Sequence, residues 1–164
     1  MLRITVWSMR RPTSCNFCSS CSGWAASPVP GSRSRKAVSV CMNLTPDHLD
    51  YFGSLDAYYD AKMLVWKNQT GDDWFLVNLD DPEIVKRCAE LPCRRVTFSL
   101  DQPADVCVKE DQVWLFDQPL FALSDLHLPG RHNLQNAMVA AAMAVKLGVD
   151  GEQIREGIRA FKGV

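Results

Sequence analysis

The chain has 164 residues, a formal net charge of −1, and 47% hydrophobic against 23% charged residues. That is enough apolar material for one ordinary domain with a real core, and it gives no bulk electrostatic attraction to nucleic acid or a membrane surface. No apolar run approaches the ~20 residues that a membrane-spanning helix needs.

The near-neutral total conceals an asymmetry. Residues 1–46 hold no Asp or Glu and six of the 18 basic residues, so the remainder carries 12 basic and all 19 acidic residues, a net of −7. The segment 1–36 shows little periodicity and is rich in Ser, Arg and Cys. Three readings of it are open. An acid-free, Arg- and Ser-rich start is like an organellar transit peptide. Cys15, Cys18 and Cys21 could hold a metal, but Cys18 would have to serve two overlapping C-x-x-C pairs and no second pair or His follows at zinc spacing. The third reading, which is preferred, is a stretch foreign to the domain, such as an out-of-frame start, expected to be disordered or only loosely packed. The domain proper is then 37–164. Its cysteines, Cys41, Cys88, Cys93 and Cys107, are scattered singly and read as small buried hydrophobes.

A β-branched run from Val38 to Met42 has strand length. The loop after it is dense in groups able to meet a metal: Asn43, Thr45, Asp47, His48 and Asp50. Gly53 and Ser54 then open a helix, with Ser54 as N-cap and Asp56 in the first turn, where negative charge is favoured. At about 100° per residue, Leu55, Tyr58, Tyr59 and Trp66 form one stripe, with Lys62 in its middle. An ammonium is costly to bury. Either Lys62 lays its stem on the aromatics and carries its amine out to water, or it points into a site.

Beyond a turn at Gly71-Asp72-Asp73, the run 74–79 is an apolar strand, and Pro82 opens a short helix predicted to reach Leu91. Asp80 and Asp81 are both assigned to capping that helix. Strands follow over 94–100 and 105–109. The latter is paired with 112–116 across Glu110-Asp111, and a further strand is predicted over 121–126. Strands alternating with helices predict an α/β fold, a mostly parallel sheet flanked by helices with a small antiparallel patch.

Leu128-Pro129-Gly130-Arg131-His132-Asn133 leads into an Ala-rich helix ending near Leu147, with Asn133 expected as its N-cap. Asn136 stands three residues on, so both amides belong to the positive end of a helix, after a glycine that permits close approach of a ligand. Plain capping accounts for the same pattern. A last helix is expected from Asp150, with Gln153 completing a capping-box-like pair, a stripe of Ile154, Ile158 and Phe161, and Gly163 as C-cap.

Several of these motifs together resemble one family. The run from Asn43 to Asp50 (N-L-T-P-D-H-L-D), followed by Gly53-Ser54 and Ala61-Lys62, resembles the Mur ligases of peptidoglycan synthesis, and Pro129-Gly130-Arg131-His132-Asn133-x-x-Asn136-Ala137 resembles their second ATP-site motif. Asn68-Gln69-Thr70 and Asn78-x-Asp80-Asp81-Pro82 are most similar to the D-glutamate-adding member, with the L-alanine-adding member as the alternative. The resemblance spans about 38–164 and implies part of a central ATPase domain of a cytoplasmic, ATP- and Mg2+-dependent amide ligase. Its substrates would be UDP-N-acetylmuramoyl-L-alanine and D-glutamate. It further implies that His48 ligates magnesium, that Lys62 is carbamylated by carbon dioxide to become an anionic oxygen donor for the metal, and that Asn133 and Asn136 hold the nucleotide. Asp47 and Asp50 would brace the His48 loop.

The departures from the pattern matter as much. No G-x-x-x-x-G-K-[ST] phosphate loop occurs anywhere, and residues 1–36 stand where the family has its acidic magnesium ligand. The chain is therefore expected to be a fragment that is monomeric and not catalytically competent alone. The competing expectation is a non-catalytic α/β nucleotide-binding or interaction module.

Overall fold

The computed structural model describes residues 6–10, 37–45 and 53–163. Among these, seven strands form one sheet in chain order: β1 (Val6–Arg10), β2 (Ala37–Cys41), β3 (Trp74–Asn78), β4 (Arg94–Phe98), β5 (Val106–Lys109), β6 (Gln112–Leu115) and β7 (Gln118–Ala122). The steps from β2 through β5 are parallel, β1 runs antiparallel to β2, and β5, β6 and β7 form an antiparallel meander. This is the α/β sheet expected from the sequence. The strand Val6–Arg10 lies in the stretch where no element was expected; its Val-Trp-Ser-Met run has the β-branched and aromatic content of a strand.

Helices cover both faces. On one side lie α1 (Leu55–Met63), a 3-10 turn (Leu64–Trp66) and α2 (Pro82–Arg87); on the other lie α3 (Arg131–Lys146) and α4 (Gly151–Ala160). Strand alternation distributes the apolar side chains between two cores. Val38, Val40, Met42, Leu76, Val96 and Phe98 face α3, with its Met138, Ala142 and Met143. Cys41, Phe75 and Val77 face Tyr58, Tyr59, Met63 and Ile84. A strand buried on both faces reads as a continuous apolar run, which is why β2 and β3 were legible.

Several local expectations are corrected. The α1 helix stops at Met63 and tightens into the 3-10 turn; Trp66, on that turn, still packs against the core of Tyr58 and Tyr59, whereas Leu55 is 39% exposed. Helix α2 ends at Arg87, not Leu91. The strand placed over 121–126 starts earlier, at Gln118, and gives way to a 3-10 turn over Leu123–Asp125. This follows from the two-residue loop at Phe116-Asp117, which pairs Leu115 with Gln118. The hairpin at Glu110-Asp111 is as expected, with φ of 50° and 59° at its two residues, the left-handed pair that matches strand twist. Helix α4 is capped by Asp150 at its start, but it closes at Phe161, which is 48% exposed, and not at Gly163.

The parallel core begins at a buried carboxylate. Asp73 accepts hydrogen bonds from Ala37 N (2.7 Å) with one oxygen, and from Thr70 N (2.8 Å) and Thr70 Oγ1 (3.2 Å) with the other. It thereby ties the first residue of β2 to the turn that feeds β3. Asp73→Ala leaves the buried Ala37 N–H without a partner and is expected to cost about 2–4 kcal/mol. Urea unfolding measures this; a loss below about 1 kcal/mol would show that the tie is dispensable.

Candidate active site

In a parallel sheet, ligands bind outside the carboxyl ends of the strands. Here that edge is built by the residues just after β2, β3 and β4. The backbone leaving β2 is held by three contacts. Asn78 Nδ2 donates to the Met42 carbonyl at 2.7 Å, Leu44 N donates to Asp81 Oδ2 at 2.7 Å, and Cys41 Sγ donates to the Asn43 carbonyl at 3.6 Å. Asp81 also caps α2, accepting from Glu83 N and Ile84 N through its other oxygen. One carboxylate therefore fixes both the loop after β2 and the helix after β3.

Asp80 does not share the capping role assigned to it. It accepts from Ser99 Oγ and, at 2.9 Å, from Leu100 N, which makes it a brace between the ends of β3 and β4. The backbone turns after Asn78, whose Oδ1 accepts from Asp80 N, so the Asp80 side chain faces β4 and only Asp81 reaches α2.

Helix α3 runs antiparallel to the strands. Its last residue, Lys146, places Nζ 4.3 Å from the ring centroid of Trp74 at the start of β3, while its first residue, Arg131, pairs with Asp101 beyond the end of β4 at 2.7 Å. Its amino end, with the positive end of the helix dipole, therefore stands at the carboxyl edge of the sheet. The N-cap is Gly130, not Asn133. Gly130 has φ 104°, a backbone that favours glycine, and a Cβ there would lie 3.0 Å from His132 Cε1, so the folded-back imidazole would have to shift. The helix thus begins two residues before its expected cap, and Asn133 lies inside the first turn. Its Nδ2 donates to the Pro129 carbonyl at 2.7 Å, closing the Pro-Gly turn. Asn136 is on the same helix and exposed.

Lys62 is half-buried, with Nζ 5.3 Å from the Tyr58 ring centroid. The amine itself, and not only the stem, thus lies over the aromatic ring, and its charge is also sensed at the end of β2. Burial pushes the Cys41 thiol up to about 12; the nearby Asp81 carboxylate adds to that rise and the Lys62 ammonium opposes it. Lys62, Asp81, Cys41 and Asn43 thus form one neighbourhood. His48, Asp47 and Asp50 lie outside the described residues.

Among the described residues, no group of three or more His, Cys, Asp or Glu could hold a metal ion. The sequence drew Asn43 only as one member of a polar loop. In the structure its Oδ1 is enclosed and has no hydrogen-bond partner among the described residues. An amide oxygen is the kind of ligand a hard divalent cation takes. One such oxygen does not make a site, and the described residues at this edge supply no set of ligands for an ion. Sequence reasoning missed this because enclosure is a tertiary property; the only local signal was an Asn directly after a buried strand.

Residues 28–144 match the Mur ligase middle domain. The chain is 34% identical over 122 residues to a UDP-N-acetylmuramoylalanine--D-glutamate ligase of Fusobacterium nucleatum, covering 74% of this chain and 28% of that protein. It is 37% identical over 139 residues to the protein of the same description in Desulfitobacterium hafniense, covering 79% and 30%. Among solved structures, MurF from Acinetobacter baumannii superposes with a TM-score of 0.63 at 25% identity, covering 77% of this chain and 29% of that one. The chain spans less than a third of the length of these relatives.

The layer under β2 and β3 is closed, and its thiols report on that closure. Burial pushes Cys88, like Cys41, up to about 12. In the folded chain at mildly alkaline pH, neither is expected to react with iodoacetamide, and both are expected to react once urea unfolds the chain. Peptide mapping by mass spectrometry checks this; native alkylation of Cys41 would mean that the site neighbourhood is open to solvent.

Proposed function

This chain belongs to the Mur ligase family, and we propose that it is part of the ATPase core of the ligase that adds D-glutamate to UDP-N-acetylmuramoyl-L-alanine. The observation that carries the reading is the D-glutamate ligase description shared by relatives 34% and 37% identical over most of this chain. The carboxyl-edge geometry supports it, because Asn43, where the first stretch of family resemblance begins, and Gly130 in the second come to the same edge of one sheet.

In the proposed reaction the muramoyl-alanine carboxylate attacks the γ-phosphate of ATP, giving an acyl phosphate and ADP. The amine of D-glutamate then attacks the acyl carbonyl and releases phosphate as the amide forms. Magnesium, when bound, supplies charge neutralisation for the crowded phosphate oxygens. The residues that would hold it are His48 and carbamylated Lys62. Carbamylation removes the positive charge of Lys62 and puts carboxylate-like oxygens in its place, so its half-buried setting beside Asp81 and Cys41 becomes a place for a cation and not for an ammonium. The amino end of α3 would receive the nucleotide, oriented by Asn136, with Asn133 holding the Pro129 turn that shapes the approach.

The phosphate loop of such enzymes is absent from these 164 residues. The backbone cradle that aligns the γ-phosphate is therefore not supplied by this chain, and its ATP turnover is expected not to exceed that of a Lys62→Ala control. Binding is the more direct test. Asn136 is exposed and makes no contact that the fold needs, so Asn136→Ala is expected to weaken ADP affinity about tenfold, the loss of one or two hydrogen bonds, with an unchanged unfolding midpoint. Isothermal titration checks this. Unchanged ADP affinity, or no ADP binding by the parent chain, would contradict the ATPase-core reading and favour an α/β module without nucleotide function.

A further inference from the structure

Away from the candidate site, at the amino edge of the sheet, four side chains share one cluster. Lys146, the last residue of α3, places Nζ 4.3 Å from the ring centroid of Trp74 and 4.6 Å from that of Phe116. The Arg94 guanidinium lies 5.3 Å from the same Trp74 ring. The parts come from three directions and are held. Trp74 starts β3, and Arg94, its register partner, starts β4. Phe116 sits in the loop after β6 with φ 53°, a strained backbone for so large a residue. Its N–H donates to the Asp105 carbonyl at 2.6 Å, which fixes the turn.

The two cations are not equivalent. Arg94 is exposed and has polar partners, the Gly71 carbonyl at 2.9 Å and Asp72 at 3.9 Å. Lys146 is half-buried and makes no hydrogen bond or ion pair among the described residues. Ring faces attract an ammonium, but they offer none of the acceptors that its three N–H groups find in water. Arg94 cannot lose its proton, so of the two charges that share Trp74 only that of Lys146 can be given up. Burial works in the same direction. It holds the Lys146 amine below the usual lysine range, against the opposing charge of Asp105. A lysine amine desolvated against apolar groups and beside another cation is an activated nucleophile.

We propose that Lys146 is an acylation site for small acyl phosphates. The Nζ electron pair attacks the acyl carbonyl and an N–C bond forms. The C–O bond to the phosphate breaks, phosphate leaves, and the surplus amine proton passes to water. Arg94 stands beside the amine as an exposed cation for the phosphate. The product amide is uncharged, so Trp74 is no longer shared by two cations. This site lies at the opposite edge of the sheet from the proposed nucleotide-binding end of α3 and does not rest on the ligase reading.

The test incubates the full chain with acetyl phosphate at mildly alkaline pH and follows each lysine by peptide mapping in a mass spectrometer. The exposed Lys67, Lys86, Lys109 and Lys162 serve as internal references. In the folded chain Lys146 is expected to be acetylated about three- to tenfold faster than they are, and the difference is expected to vanish in urea. Phe116→Gly suits the φ of 53°, so the turn is kept while one ring is lost, and Lys146 is expected to fall toward the reference rate. Arg94→Gln is expected to slow the reaction with acetyl phosphate more than that with N-hydroxysuccinimidyl acetate, an uncharged donor. If Lys146 in the folded chain reacts no faster than the references, the rings shield the amine and the proposal is overturned. A Phe116→Gly chain in which Lys146 keeps or gains rate overturns it as well. Equal slowing of both donors by Arg94→Gln overturns the choice of an acyl phosphate as donor.

Discussion

The constraint on which the rest depends is the burial of β2 on both faces. All five of its residues are buried, with Val38 and Val40 turned to α3 and Cys41 to the layer of Tyr58, Tyr59 and Ile84. Such a strand has no solvent face on which to place chemistry. Polar function can appear only at its end, where the chain must leave the sheet and find partners for its backbone groups. Asp81 and Asn78 supply those partners from β3 and α2. The neighbouring strand therefore sets the geometry of the loop after β2, and the loop brings no rigidity of its own.

The same logic governs the second half of the site. Helix α3 is anchored through Met138, Ala142 and Met143 to the core, and its far end is held where the Lys146 amine meets Trp74 and Phe116. With sixteen residues it reaches about 24 Å, enough to span the sheet and deliver its amino end to the carboxyl edge. Gly130 then turns the chain sharply, and Asn133 closes that turn onto Pro129. Packing of apolar side chains far from the edge thus decides where the helix dipole points.

What the sequence made legible follows the same division. Runs such as 38–42 and 74–79 announce strands because burial on both faces leaves each run apolar but for one residue, Ser39 or Asn78. Ser54 and Asp150 were readable as caps because an N-cap is a local event. Asp80 and Asp81 were not separable, since both are acidic residues before a proline, and only the direction of the turn after Asn78 sends one to Ser99 and the other to α2. Asn133 was misplaced because it has the chemistry of a cap, while a glycine whose left-handed backbone is invisible in sequence takes that position. Asn43 was visible as a polar loop residue, but the backbone around it is tied by three partners, two of them more than thirty residues away. The family motifs, by contrast, could be read from sequence alone, because their order and spacing carry the likeness without the fold.

The central claim is that Lys62 serves a cation by carrying a carbamate and not an ammonium. The direct measurement is 13C NMR of the chain in 13C-labelled bicarbonate with magnesium. The account predicts a carbamate carbon resonance that is strengthened by magnesium and absent from Lys62→Ala. A spectrum in which the parent chain and Lys62→Ala cannot be told apart would contradict it.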